Sequence, residues 1–270
     1  MRVLGLRPLL AASLAGTLTA GAALAGCGSD EPSVAAPTAS TGIPTPGEAD
    51  ARAQLAARAA AAKDQRYAAM YSLSTGDRPD RVVVVTRAKD GGWRVDVPGG
   101  ALGGTADVSV ARTREGLFQC GLASTDGLFQ PACVRVAGRD GDLDGDVDPW
   151  VQHIFVDWLE VLTDRTAAIA VSTAKRLRGV RGDCFSVESN SASLAEPLDV
   201  GIYCYSNDGL LTGARLGFGT LKLSGEPAAP PSEITLPGPV VDGEPLPIAS
   251  PPPPPTTAPP DGEPGATPAA

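Results

Sequence analysis

Residues 201–216 read GIYCYSNDGLLTGARL, the pattern of two strands joined by a tight turn. The first run is rich in aromatic and β-branched residues, and the second begins at Leu210. Between them, Ser206-Asn207-Asp208-Gly209 supplies residue types that tolerate the left-handed backbone of hairpin turns. With a further strand-like run at 218–223, this segment predicts an antiparallel end to the folded part of the chain.

The same pattern continues upstream of this hairpin. Residues 82–86 are β-branched, Asp90-Gly91-Gly92 is a turn signal, and residues 93–97 alternate between apolar and polar. A helix is predicted over 45–63, where Thr45-Pro46-Gly47-Glu48 has the pattern of a capping box with proline at the first helical position. Further strand-like runs are 107–111, 117–120, 133–136, 168–172, 177–180 and 184–187.

A second helix is predicted in the middle of the chain. It opens at Asp148-Pro149, and its apolar residues fall at helical spacing: Trp150, Val151, Ile154, Phe155, Trp158, Leu159 and Leu162. Strands on both sides of this helix predict an α+β fold. We expect one curved antiparallel sheet, a half-barrel whose concave apolar face is covered by helices.

The folded segment contains four of the five cysteines, Cys120, Cys133, Cys184 and Cys204. An even number in an exported chain indicates two disulfides, for which three pairings exist. We favour Cys120 with Cys133 and Cys184 with Cys204, because each pair bounds two strand-like runs that could be neighbours. A four-cysteine metal site is the alternative, but the sequence has no Cys-x-x-Cys pair.

The N-terminus indicates export. Residues 1–26 have two arginines followed by an apolar run from Leu9 to Ala25, the pattern of a secretory signal; the alternative is a short, weakly apolar membrane span. The tetrapeptide Leu24-Ala25-Gly26-Cys27 resembles the lipobox of bacterial lipoproteins. That resemblance implies that Cys27 carries a diacylglyceryl group, becomes the mature N-terminus and anchors the protein to the lipid bilayer of an extracytoplasmic membrane leaflet.

Amino-acid composition divides residues 27–270 into a tether, a folded domain and a proline-rich tail. Residues 27–44 comprise Cys27 and a Ser-, Thr-, Pro- and Ala-rich stretch that predicts a flexible tether. Residues 45–225 are the predicted domain, and residues 226–270, with the proline run 251–255, predict a disordered or polyproline-like tail. The tail is interpreted as a spacer, with a proline-rich ligand for a partner as the alternative.

Charge and histidine content exclude several functions. The chain has 22 basic and 31 acidic residues, a net charge of −9, which disfavours binding to nucleic acid. His153 is the only histidine, so zinc sites built on two or three histidines are excluded. A catalytic triad would need His153 with an activated nucleophile, and the sequence offers it only Asp157 one turn away. We therefore expect no enzymatic activity.

The arrangement as a whole resembles the LolA/LolB-like lipoprotein carriers, and most closely the actinobacterial lipid-carrier lipoproteins of the LppX and LprG type. The resemblance rests on the lipobox and tether, the leading helix, the meander ending in residues 116–120, the apolar middle helix, and the pair 182–187 and 203–211. It covers the domain by arrangement rather than by exact motif. The loop 139–148 and the proline-rich tail have no counterpart that we can place in that family.

The resemblance implies a monomeric, membrane-anchored lipoprotein that binds or shuttles an apolar ligand, a lipid, in the hollow of the half-barrel. The alternative is a non-enzymatic adaptor with a filled core that engages another envelope protein. For a carrier, we expect the ligand cavity to be lined by side chains from the middle helix and from inward-facing strand positions: Trp150, Ile154, Phe155, Trp158, Val83, Val95, Phe118 and Tyr203.

The acidic loop 140–148 is a candidate calcium site, the only cofactor that the sequence suggests. Asp140, Asp142, Asp144 and Asp148 stand at positions 1, 3, 5 and 9 of a calcium loop, with Gly145 at position 6. Position 12 is Val151, where such loops need a bidentate glutamate. The alternative is a solvated acidic loop whose last member, Asp148, caps the following helix.

Overall fold

A computed structural model describes residues 46–76, 78–123, 130–189 and 198–250. All of them lie within the compact unit Ile43–Ala270. The predictions for the signal segment, Cys27 and the tether lie outside the described residues. Within the described part, no helix is both long and apolar enough to cross a bilayer.

The structure is dominated by one open antiparallel sheet of eleven strands. The strands are β1 (Tyr67–Ser74), β2 (Arg81–Arg87), β3 (Trp93–Ala101), β4 (Ala106–Arg112), β5 (Leu117–Gly121), β6 (Ala132–Ala137), β7 (Ile169–Ala174), β8 (Asp183–Ser189), β9 (Gly201–Tyr205), β10 (Leu211–Leu216) and β11 (Gly219–Ala228). Their order across the sheet is β6-β5-β4-β3-β2-β1-β11-β10-β9-β8-β7. The two meanders therefore join in the middle, where β1 pairs with β11, and β6 and β7 form the edges.

Period-two burial assigns one face of the sheet to the core. Val83 and Val85 of β2 and Val95 and Val97 of β3 are buried, whereas Val82 on the other face of β2 is 51% exposed. The buried set packs against the helices in a single core cluster. The predicted antiparallel α+β architecture is confirmed at this level.

Helix α1 (Pro46–Asp64) covers part of the core face through small side chains. Its buried residues are Ala51, Leu55, Ala59 and Ala62, spaced at three or four positions so that they form one stripe. Arg87 of β2 donates to the Ala62 and Lys63 carbonyls, which supplies partners at the helix C-terminus.

The predicted single helix after Asp148 is wrong. The structure has a 3₁₀ helix, Val151–Phe155, and a separate short helix, α2 (Trp158–Thr163). They are separated at Val156, whose φ of −134° and ψ of −87° are not helical. The Asp157 carboxylate binds the His153 side chain and makes no capping bond to α2, so side-chain contacts outweigh the helical pattern here.

Both favoured disulfides, Cys120–Cys133 and Cys184–Cys204, are confirmed. Each joins directly opposed residues of adjacent strands, β5 with β6 and β8 with β9. Disulfides of this kind are typical of proteins from oxidising compartments.

The predicted domain end at residue 225 is too early. Strand β11 runs to Ala228, and the following residues up to Ser250 pack along the first meander. Leu236 lies against Phe118 and the first disulfide, and the backbone around Val240 hydrogen-bonds to Cys133 on edge strand β6. These contacts partly bury Leu236 and pair the backbone around Val240 with β6, so the composition of the tail underestimates its order. Residues 251–270 lie outside the described part.

The last described part of the tail lies on the helix-covered face. There the Leu246 backbone exchanges two hydrogen bonds with the buried Gln119 side chain, at 2.6 and 2.9 Å. The Leu102 and Gly103 N–H groups donate to the Pro247 and Ile248 carbonyls. The segment 229–250, called the strap below, therefore passes around edge strand β6 from one face of the sheet to the other.

Candidate functional site

The interior that was expected to be hollow is filled with side chains. Six of the eight predicted lining residues are at most 4% exposed and belong to the core cluster: Val83, Val95, Ile154, Phe155, Trp158 and Tyr203. The rings of Tyr71 and Phe155 are 4.9 Å apart, and the Tyr203 hydroxyl donates to the Asp199 carbonyl. A space beside Ile154 and Phe155 measures about 10 Å³, no more than one water molecule needs.

Phe118, another predicted lining residue, lies on the opposite face of the sheet. Its neighbours there are the Cys120–Cys133 disulfide and Leu236 of the strap. The prediction was wrong because both Leu117 and Phe118 are apolar, so alternation along β5 does not reveal which one points inward. The strap buries the outer face at this position, and Leu117 is the residue that joins the main core.

An apolar cleft opens at one end of the covered face and has a volume of about 590 Å³. This volume lies within the range of small-molecule sites. The cleft is bordered by the ends of β1 to β3, the 149–151 segment, the β10–β11 turn and the strap. Its apolar lining comprises Leu73, Val97, Pro98, Pro149, Trp150, Val151, Leu198, Phe218 and Ile248, and its charged lining Arg81, Asp148 and Asp199.

Trp150 is the only predicted lining residue that the structure places in this cleft. It is 49% exposed, and its φ of +63° and ψ of −33° are rare for a bulky residue. The Val151 N–H donates to the Pro149 carbonyl at 2.7 Å, so Trp150 is the central residue of a strained γ-turn. Strain of this kind persists only where surrounding contacts hold it, which makes Trp150 a candidate functional residue.

The contacts that hold Trp150 come from Asp148. The Asp148 carboxylate accepts hydrogen bonds from the Trp150 N–H at 2.9 Å, the Gln152 amide at 2.5 Å and His153 Nε2 at 2.6 Å. Burial alone would raise the pKa of Asp148, but the bonds from His153 and Gln152 outweigh it and hold the pKa below its usual value. Asp148 does not cap the following 3₁₀ helix, which has no side-chain cap; its carboxylate instead fixes the turn that positions Trp150.

His153 lies between two carboxylates. Its Nε2 is 2.6 Å from Asp148 Oδ2, and its Nδ1 is 2.7 Å from Asp157 Oδ2. Burial would lower the pKa of His153, but the hydrogen bonds and charges of both aspartates outweigh burial and raise it to about 9. The imidazole also stacks on Trp158, with ring centroids 5.8 Å apart. At neutral pH His153 is thus a cation that donates from both nitrogens.

The four predicted calcium ligands do not come together. In the described part of the chain, which includes the whole loop 140–148, no three acidic, histidine or cysteine groups are placed to hold a metal ion. Asp148 faces His153, while Asp140, Asp142 and Asp144 are exposed. The loop therefore matches the alternative, an acidic surface segment that ends in the Asp148 turn.

Sequence reasoning missed most of the residues that line the cleft, among them Arg81, Phe218 and Ile248. Arg81 was detectable, since it has the same parity along β2 as the inward-facing Val83 and Val85. Phe218 and Ile248 had no such signal. Phe218 was read as the start of a strand and lies instead at the β10–β11 turn, and Ile248 belongs to a segment whose composition predicted disorder.

No protein-family model matches the chain, and no curated protein matches it significantly. The resemblance to the LolA/LolB-like carriers therefore stays a prediction from the sequence.

Proposed function

We propose that this protein is a monomeric extracytoplasmic lipoprotein, anchored through Cys27, whose half-barrel domain binds a small apolar ligand in the Trp150 cleft. The observation that carries the proposal is the cleft itself, a 590 Å³ space with mainly apolar lining and a half-exposed tryptophan at its border. Burial of apolar ligand surface there would contribute about 25 cal/mol per Å². The binding site is at the end of the sheet and not in its filled centre.

We propose binding rather than catalysis because of the surroundings of His153. Both of its ring nitrogens face carboxylates, so neither is available to accept a proton from a nucleophile. The two disulfides support a location in an oxidising compartment, which agrees with the signal-like N-terminus.

Trp150→Gly tests the binding function with little risk to the fold. Glycine readily adopts the positive φ of this position, so the variant relieves backbone strain while it removes the aromatic wall of the cleft. We expect hexadecanol to bind the full-length wild-type chain and to bind Trp150→Gly at least about fivefold more weakly, measured by titration calorimetry. Met70→Ala is the matched control, because Met70 is 54% exposed but lies outside the cleft.

The filled core favours one other function, an adaptor that engages an envelope protein and carries no ligand. Native mass spectrometry of the purified full chain separates the two. A co-purifying lipid that is lost in Trp150→Gly supports the binding protein. Absence of lipid, together with no binding of hexadecanol, supports the adaptor.

The anchor is tested separately. Cys27→Ser should move the protein from the membrane fraction to the soluble fraction and abolish incorporation of labelled palmitate. Membrane retention of this variant would contradict the lipobox prediction.

A further inference from the structure

Arg81 is an unusual residue to find on the core face of this sheet. It stands at the first position of β2, opposite Leu73 of β1, and shares its face with the buried Val83 and Val85. Its side chain borders the cleft, whose lining is otherwise mainly apolar. Burying part of a guanidinium in such surroundings costs free energy unless its N–H groups find acceptors.

Within the described part of the chain, Arg81 uses little of its hydrogen-bonding capacity. A guanidinium has five N–H groups, and here Nη1 donates to the Pro98 carbonyl at 2.6 Å. The Nε atom is buried and has no partner, and no ion pair to Arg81 occurs within the described part of the chain. Other arginines have more hydrogen-bond partners: Arg52 donates to three backbone carbonyls, and Arg94 forms an ion pair with Asp96, with Nε 2.7 Å from Oδ1.

The backbone beside Arg81 makes room for this side chain. Gly99 has a φ of +62°, and a Cβ added there would collide with Arg81 Nη1. Glycine at 99 thus lets the guanidinium lie directly against β3 at the cleft wall.

The carboxylates of the cleft do not neutralise Arg81. Asp148 is bonded to His153 and Gln152, and Asp199 accepts from the Gly217 N–H at 2.9 Å. Among the described residues, Arg81 is therefore the one basic group that lines the cleft, and it has no carboxylate partner; Asp199 likewise has no ion-pair partner, but its carboxylate accepts a backbone hydrogen bond.

We propose that the cleft is specific for a single-chain amphiphile with an acidic head group, a carboxylate or a phosphate monoester, which Arg81 binds. This inference rests on the proposed function and names the ligand class for the same site. The chain of the ligand lies against Val97, Val151, Phe218 and Ile248, and its head group accepts hydrogen bonds from the guanidinium. Arginine suits this role because its planar donor pairs match carboxylate and phosphate oxygens.

The test compares ligands of equal chain length on the full-length protein by titration calorimetry, below micelle-forming concentrations. The probes are palmitate, hexadecyl phosphate and the neutral hexadecanol, with inorganic phosphate alone as a head group without a chain. We expect both acidic amphiphiles to bind at least about tenfold more tightly than hexadecanol, and inorganic phosphate to bind far more weakly. The tighter of the two acidic ligands identifies the natural head group.

Arg81→Gln should remove this preference, lowering the affinity for the acidic ligands about tenfold while hexadecanol binding stays within about twofold. Arg81→Lys keeps the charge without the planar donor pairs and should recover only part of the loss. Arg178→Gln, which removes an exposed arginine outside the cleft, is the matched control and should change nothing. Hexadecanol binding also reports whether Arg81→Gln is folded.

Two results would overturn parts of this scheme in different ways. If all three amphiphiles bind equally and Arg81→Gln has no effect, the acidic specificity is wrong while the apolar binding function stands. If none of them binds the wild-type chain, the proposed function fails as well.

Discussion

Replacing His153 by glutamine removes the only histidine of the chain and with it the cation between Asp148 and Asp157. The pKa of His153 rises from 6.5 to about 9 in the folded protein. One pKa unit corresponds to about 1.4 kcal/mol, so protonated His153 contributes about 3 kcal/mol to the free energy of unfolding. The same ion pair lowers the pKa of Asp148. Its free energy is already included in the figure for His153 and is not added again for Asp148.

The sign of the pH dependence follows from the direction of the shift. A group with a raised folded pKa stabilises the protein fully below its unfolded pKa, and this contribution is lost as the pH rises through the folded value. We therefore expect the wild-type free energy of unfolding to fall by about 3 kcal/mol between about pH 6 and pH 9.5. The lowered pKa of Asp148 acts at the acid end, where its contribution disappears as the pH falls.

Urea unfolding of the full-length chain at several pH values, with the disulfides intact, measures this effect. His153→Gln should show almost no change between pH 6 and 9.5. Asp157→Asn, which removes the more exposed of the two carboxylates, should show a smaller fall that occurs at lower pH. Wild-type stability that is flat over this range, or an NMR titration of His153 near 6.5, would refute the assigned role of the two aspartates.

Three further predictions concern the fold. Gly209→Ala should destabilise the protein by about 2 kcal/mol or more, and Gly91→Ala by only about 1 kcal/mol, in the same urea assay. Both glycines have φ near +90°, but only at position 209 would an added Cβ meet helix α1, 2.5 Å from Ala62 N. Equal losses of stability in the two variants would contradict this reasoning. Replacing Cys184 and Cys204 by serine should cost about 3 kcal/mol, since the bridge closes a loop with a sequence separation of 20, and an unchanged denaturation midpoint would argue against the pairing. A chain that ends at residue 228 should have a free energy of unfolding lower by about 2 kcal/mol, because Gln119 loses its partner Leu246. A chain that ends at residue 250 should keep the stability of the full-length chain. Similar stabilities of the two shortened chains would mean that the strap is not bound in solution.

Local sequence signals were sufficient for most of the sheet. Runs such as 82–86 and 201–205 are rich in β-branched and aromatic residues and therefore predict strands, and the Gly-containing turns between successive runs predict antiparallel neighbours. The cysteine pairing followed from the same adjacency, since opposed residues of neighbouring strands are close enough to be bridged.

The interior and the site depended on tertiary contacts that a pattern does not encode. Periodicity shows which face is apolar but not whether rings such as Tyr71 and Tyr203 fill the space behind it. The helical spacing after Asp148 was real, yet the carboxylates on both sides of His153 impose a turn and a break. For the strap, a few residues such as Leu236 and Leu246 find partners that a proline-rich composition does not reveal.

The pairing of β1 with β11 has a consequence for the order in which the chain can fold. Each meander contains mostly short-range pairings, but the seam between them joins residues such as Tyr71 and Leu223, about 150 positions apart. Contacts of such long range form slowly, and synthesis delivers β11 after every other strand. Until then one edge of β1 is unpaired, so a nascent chain exposes an edge strand that can pair with other chains until residue 228 has been synthesised.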